Sequence, residues 1–222
     1  EYKRFQGRYY LGHAYQAAHK ILDHLTAAPD RAVISSSMAG SLRRWRETIG
    51  DIDLLVASKD PDAVMDRLGT FTEIEEILLR GPTKMSVLTI RGMQVDLRVV
   101  EPASYGAARH YFTGSKQHNI RIRERAQKIG LKVNEYGVFR EAGDERLCGD
   151  TEEEIFSALE LAWIPPELRE DRGEIEAAAK GMIPCLITAG DIKGDLHVHS
   201  TRSDGVDDMR TMALAARELG YE

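Results

Sequence analysis

A mixed α/β architecture of the α+β kind is what this sequence predicts, and three observations carry that expectation. An apolar stripe at helical spacing opens the chain. Five short β-prone runs follow, interrupted by one capped helix, and helical, strongly charged sequence takes over after Pro102. A sheet first and helices afterwards predict a mixed-sheet half and a smaller α+β half within 222 residues.

Leu11, Ala14, Tyr15, Ala18, Ile21, Leu22 and Leu25 recur every three or four residues, which predicts an amphipathic helix. Ala32–Met38 is β-prone and runs into Gly40-Ser41. Ile49–Ala57 alternates acid and aliphatic. Asp60-Pro61 supplies an N-cap and a first helical residue, predicting a helix over 61–68. Thr72–Leu79, Lys84–Ile90 and Gln94–Val100 read as strands joined by tight turns at Gly81-Pro82 and Arg91-Gly92, hence antiparallel hairpins. Beyond Pro102 a basic helix carries Ile122, Ala126 and Ile129 on one face and stops at Gly130. Lys132–Phe139 and Glu145–Cys148 read as a small hairpin. Thr151 and Glu154 form a capping box that starts a helix through Ile155, Leu159 and Trp163, ended by Pro165-Pro166. Ala177–Asp191, poor in charge, reads as a linker, and Asp207–Leu219 as a last helix.

Composition excludes several classes. The 42% hydrophobic content suits a protein with a buried core, and no apolar run is long enough to span a bilayer. Two cysteines far apart, Cys148 and Cys185, argue against a disulfide scaffold and make a reducing cytoplasm the default. The net charge of −6 conceals an asymmetry. Between Lys116 and Lys132 lie six basic residues and one acid; between Asp150 and Glu176 lie ten acids and two arginines. A local basic surface is what holds phosphates, so the first run is a candidate nucleic-acid surface, with solvated helix faces as the alternative.

The chemistry concentrates in Gly50-Asp51-Ile52-Asp53. Alternation along a strand puts Asp51 and Asp53 on one face and Ile52 and Leu54 on the other. Two carboxylates at that spacing suit one or two hard divalent cations, and Asp96, flanked by Val95 and Leu97, is a third strand aspartate. Three such acids on one face repel unless cations lie between them; Mg2+ fits, because it takes oxygen ligands and leaves positions for phosphate and water. A lone D-x-D reads as a solvated strand end, but here Gly40-Ser41 stands ten residues upstream. A Gly-Ser turn brings backbone N–H groups and a hydroxyl close to a triphosphate, and Arg43, Arg44 and Arg46 offer bidentate partners for it.

Gly40-Ser41-Leu42-Arg43-Arg44 with Gly50-Asp51-Ile52-Asp53-Leu54 resembles the palm signature of family X DNA polymerases. Val95-Asp96-Leu97-Arg98 matches the third-aspartate strand, and Tyr111-Phe112-Thr113-Gly114-Ser115 with Asn134-Glu135-Tyr136 resembles the thumb signature. The resemblance runs from about residue 10 to Glu176, in family order. It implies a nucleotidyltransferase-type palm over 1–100, a thumb over 101–176 and a linker over 177–192. It implies that Asp51 and Asp53 bind two Mg2+ or Mn2+ ions and Asp96 only the one near the primer 3′-OH. Gly40, Ser41, Arg44 and Gly114 would belong to the nucleotide site, with Ser41 and Arg44 on the β and γ phosphates. Tyr111 and Phe112 would lie under the sugar and Asn119 at the base. Arg123, Lys128 and Lys132 would hold DNA, either primer-template or gapped, while a deoxynucleoside triphosphate is the second substrate. Lys116 and His118 depart from the acidic and aromatic residues of animal members, so base contacts are expected to differ. The rival readings are a non-templated nucleotidyltransferase and a non-catalytic DNA-binding module; the threonine-glycine-serine run after Tyr111-Phe112 favours the polymerase.

Asp195-Leu196-His197-Val198-His199 with Ser203-Asp204-Gly205 resembles the opening motif of PHP (polymerase and histidinol phosphatase) domains. Strand alternation would put His197 and His199 on one face as metal ligands. The resemblance implies that 193–222 is the N-terminal fragment of such a domain, which needs the rest of its ligands to hold Mn2+ or Zn2+. It likewise implies truncation at both ends, and no nuclease activity from these residues alone.

Overall fold

The computed structural model describes residues 7–27 and 32–221, and divides into a compact unit over Glu1–Ile183 and a second over Pro184–Glu222. The first unit opens with β1 (Tyr9–Tyr10) and α1 (Leu11–Thr26), followed by β2 (Ser35–Met38), α2 (Gly40–Arg43), β3 (Thr48–Ile49) and β4 (Asp51–Ala57). α3 (Pro61–Gly69) starts on Asp60, whose carboxylate accepts from the Ala63 N–H at 3.0 Å, as the Asp-Pro pair predicts. β5 (Ile74–Arg80), β6 (Lys84–Thr89) and β7 (Gln94–Val100) complete a five-stranded sheet of order β2-β4-β7-β6-β5. Every neighbouring pair in it is antiparallel except β4 and β7, which run parallel.

That single parallel pair follows from the connection: α3 and the β5–β6 hairpin return the chain to the end from which β4 set out. Ile52, Leu54 and Val56 on β4 join Val95, Leu97 and Val99 on β7 in a core shared with Ala14, Ala18, Ile21 and Leu25 of α1 and Val64 and Leu68 of α3. Asp51 and Asp53 therefore face away from this core.

The rest of the first unit comprises α4 (Tyr105–Thr113), α5 (Lys116–Lys128), a small antiparallel sheet, α6 (Glu152–Ala158) and α7 (Glu174–Ala179). The sheet consists of β8 (Leu131–Asn134), β9 (Gly137–Arg140) and β10 (Arg146–Cys148), in the order β10-β9-β8. Its separate hydrophobic cluster gathers Ala107, Ile122, Ala126, Val133, Val138, Ile155, Phe156 and Ile175. α4 packs against both β4 and α2, so this helical half leans on the sheet face that bears the acids.

Several local expectations are corrected. Tyr111 and Phe112, for which no separate helix is predicted, sit in the last turn of α4, and that helix ends where Gly114 takes a positive φ of 71°. The capping box of Thr151 and Glu154 forms as predicted, but α6 stops at Ala158, well before Trp163. Glu160 turns left-handed (φ 56°), and the chain then feeds Leu161 and Ile164 into the core, burial that a continuous helix would forgo. Residues 177–179, read as the start of a linker, belong to α7, where Ala178 is buried against the second cluster. Ile129 is 42% exposed at the end of α5 rather than on its buried face.

The second unit holds α8 (Met209–Glu218), capped by Asp208. His197 and His199 lie outside any strand, contrary to the alternation argument, yet their rings stack with centroids 5.0 Å apart. His199 Nδ1 pairs with Asp204 Oδ1. No helix among the described residues is long and apolar enough to cross a membrane.

Candidate active site

The parallel register of β4 and β7 sets Asp53 directly opposite Asp96, and Asp51 opposite Gln94. Residues paired across a ladder share a face, so three carboxylates occupy one patch, with Asp53 and Asp96 one strand spacing apart. Their surroundings differ. Lys84 Nζ lies 2.6 Å from Asp96 Oδ2, and Gln94 donates to Asp96 Oδ1 at 2.9 Å. Burial acts to raise Asp96, but bonds from Lys84, Gln94 and Ser86 outweigh it and hold its carboxyl below the usual range. Asp53 has no such relief. Burial, and then the charges of Asp51 and Asp96, push it up to about 7 against the opposing pull of Lys84 and Arg44.

That imbalance is the physical case for a cation. The donors are all carboxylate oxygens, the set that hard divalent ions take, and Asp53 lacks the countercharge that such an ion supplies. As the side chains stand, no three His, Cys, Asp or Glu groups among the described residues converge on a shared metal position, and Asp96 is turned to Lys84 and Gln94. Without divalent ions, the folded protein keeps a proton on Asp53 that the unfolded chain, with its carboxyl near 3.8, has already released. Stability should therefore fall as pH rises between about 4 and 7. We expect the melting temperature in chelator to drop by about 8–16 °C across that window, corresponding to about 4 kcal/mol. Asp53→Asn should flatten the profile and Mg2+ should restore stability at pH 8; equal pH profiles for variant and parent would refute the assignment.

Gly40 opens α2 against this patch. Its φ is +57°, and a Cβ there would stand 1.9 Å from Asp53 Oδ2, so only glycine allows the backbone to come so close to the carboxylate. Gly40, Ser41, Arg44, Asp51 and Asp53 form one wall of an open cleft of about 630 Å³; Tyr111, Phe112, Thr113, Gly114, Lys116, Asn119 and Arg123 form the other, with Arg8 at the edge. Asn119 Nδ2 donates to the Tyr111 carbonyl at 2.7 Å, and the Arg98 guanidinium lies 4.7 Å from the Phe112 ring centre.

α2 joins the two halves of the unit. Arg43 makes a two-pronged bond to Glu152 (2.7 and 2.6 Å) and a third to Thr113 Oγ1 (2.6 Å), while Arg169 Nη1 reaches the same Glu152 at 2.7 Å. Burial acts to raise Glu152, but the two guanidinium groups hold it far below the usual carboxylate range. Arg44, next in sequence, donates Nε to Glu170 at 2.8 Å and Nη1 to the Thr113 carbonyl at 2.6 Å.

The basic run divides in the structure. Arg123, Lys128 and Lys132 are exposed, with Lys132 3.5 Å from Asp144. Arg121 is bound to Glu176, and Arg125 donates to the Leu159 carbonyl at 2.6 Å, so these two cations hold the fold together. His118, expected near the base, is buried away from the cleft, with Nδ1 2.7 Å from Glu174. Burial lowers its pKa despite Glu174, whose own carboxyl is drawn down to about 2 although burial acts to raise it. Lys84, Arg8, Glu152 and Glu170 are the site residues that sequence reasoning missed; each gains its place from a contact 12 or more residues away. The capping position of Glu152, next to Thr151, gave no hint that its side chain turns inward.

Residues 108–170 match the family model described as the DNA polymerase beta thumb. Over 217 residues, 97% of the chain, the sequence is 38% identical to the DNA polymerase/3′-5′ exonuclease PolX of Bacillus subtilis (strain 168). The chain spans 37% of that protein's length. Both findings support a relationship to family X DNA polymerases.

Proposed function

We propose that this chain carries the nucleotidyl-transfer site of a template-directed DNA polymerase of family X, acting in gap filling or repair. The observation that supports this most is the register of Asp53 against Asp96, with Asp51 on the same face and with Asp51 and Asp53 lining a cleft between the two halves of the unit. Residues 1–100 are its palm and 101–176 its thumb, a division consistent with the two separate hydrophobic clusters.

In this reading a primer 3′-OH attacks the α-phosphate of a deoxynucleoside triphosphate and pyrophosphate leaves. Asp51 and Asp53 would hold two Mg2+ or Mn2+ ions and Asp96 the primer-side one; such ions supply charge that eases loss of the hydroxyl proton and departure of the phosphates. Ser41 and Arg44 take the β and γ phosphates, and Gly40 leaves room for them. Tyr111 and Phe112 lie under the sugar, Asn119 meets the base edge, and Arg123, Lys128 and Lys132 contact the DNA backbone. No protein nucleophile is required. Residues 193–222 would open a PHP domain, with His197 and His199 as its first ligands.

Primer extension on templated, gapped and single-stranded DNA, with Mg2+ and with Mn2+, tests the reading. Incorporation should follow the template base. Equal addition to single strands would favour a non-templated transferase, and DNA binding without any addition would favour a binding module.

A further inference from the structure

Arg43 and Arg44 are adjacent, yet their carboxylate partners differ in a way that bears on nucleotide entry. In the Arg43–Glu152–Arg169 triad the shared carboxylate is closed to water and held by two guanidinium groups, with the side chains 10%, 1% and 0% exposed in that order. Arg44 and Glu170 remain within reach of water, at 13% and 18%. A carboxylate buried between two guanidinium groups cannot change partners cheaply, whereas one with water within reach can.

The Arg44 bonds leave one nitrogen over. Nε goes to Glu170 and Nη1 to the Thr113 carbonyl, while Nη2 has no protein partner among the described residues and the residue lines the cleft. A phosphate gripping the flat Nε–Nη2 edge with two bonds would meet Glu170 already seated on Nε. Glu170 also has somewhere else to go, because its Oε1 lies 3.7 Å from Arg46 Nε, on a side chain that is 45% exposed.

Building on the functional reading above, we infer that Glu170 is an affinity-determining residue of the nucleotide site. It holds the place of a phosphate on Arg44 in the nucleotide-free protein and passes to Arg46 when a triphosphate arrives. The carboxylate keeps Arg44 extended and neutralised in the empty cleft, and its displacement weakens binding. Because Glu170 lies in the thumb half and Arg44 caps the end of α2, the exchange also removes one of the bonds that tie the two halves together, while the Glu152 triad keeps them joined.

The test is equilibrium titration of the full chain with deoxyadenosine triphosphate plus Mg2+, and separately with inorganic tripolyphosphate, without DNA. Glu170→Gln retains an oxygen for Nε but no charge, and should tighten both ligands by roughly five- to tenfold. Arg44→Ala should weaken both by about tenfold or more. Adding Glu170→Gln to Arg44→Ala should give no further change, since the carboxylate acts through that guanidinium. If Arg44→Ala weakens binding but Glu170→Gln leaves it unchanged or weaker, Glu170 merely positions Arg44 and the inference fails, while the cleft keeps its assignment. If Arg44→Ala has no effect, the phosphate reading of the cleft fails, and the inference with it.

Discussion

Asp96→Asn should reduce nucleotide addition by on the order of 10³-fold, since a positioned cation contributes several kcal/mol to the transition state. The substitution keeps shape and an oxygen for Lys84, whose Nζ sits 2.6 Å from the carboxylate, so the strand should fold as before. What disappears is the negative charge that would share a primer-side cation with Asp53 across the β4–β7 ladder. Triphosphate binding should persist in part, because Asp51, Ser41 and Arg44 are untouched. Single-turnover incorporation, paired with nucleotide titration, separates the two effects. A variant that extends primers at the parental rate would remove Asp96 from the reaction.

Glu152→Ala should be strongly destabilising, at about 3–5 kcal/mol, because it leaves the fully buried Arg169 guanidinium and the nearly buried Arg43 without their shared carboxylate. For a unit of this size that corresponds to a fall of roughly 6–20 °C in its melting transition. The triad is not inherently stabilising: replacing Arg43, Glu152 and Arg169 together by apolar residues of similar volume should recover most of the loss. Chemical denaturation of the parent, the single variant and the triple variant decides this. A loss below 1 kcal/mol for Glu152→Ala would mean that the triad is not what joins α2 to the second half.

The sequence by itself determined what local physics controls. Strand alternation placed Asp51 and Asp53 on one face and Ile52 and Leu54 on the other, and the burial follows that pattern. Asp60-Pro61 and the Thr151–Glu154 box started helices where they should, because a cap depends on residues three positions apart. The β5–β6–β7 meander was legible from the tight turns at Gly81-Pro82 and Arg91-Gly92, whereas Gly40-Ser41, read as a turn, opens the short helix α2. The end of α6 was not legible, since Leu161 and Ile164 leave the helix to fill a core made by distant elements. Nor was the fate of the charges. Arg121 and Arg125 belong to the same basic run as Arg123 and Lys128, and only packing separates those that bind Glu176 or the Leu159 carbonyl from those that face water. Asp53 stands opposite Asp96, 43 positions later, because α3 and a hairpin turn β7 parallel to β4; Arg44 meets Glu170 across |i−j| = 126. Side-chain direction is fixed by a residue's own backbone and can be read from a few neighbours. Which groups come together in space depends on topology and register, and these are set by the whole chain burying its apolar faces at once.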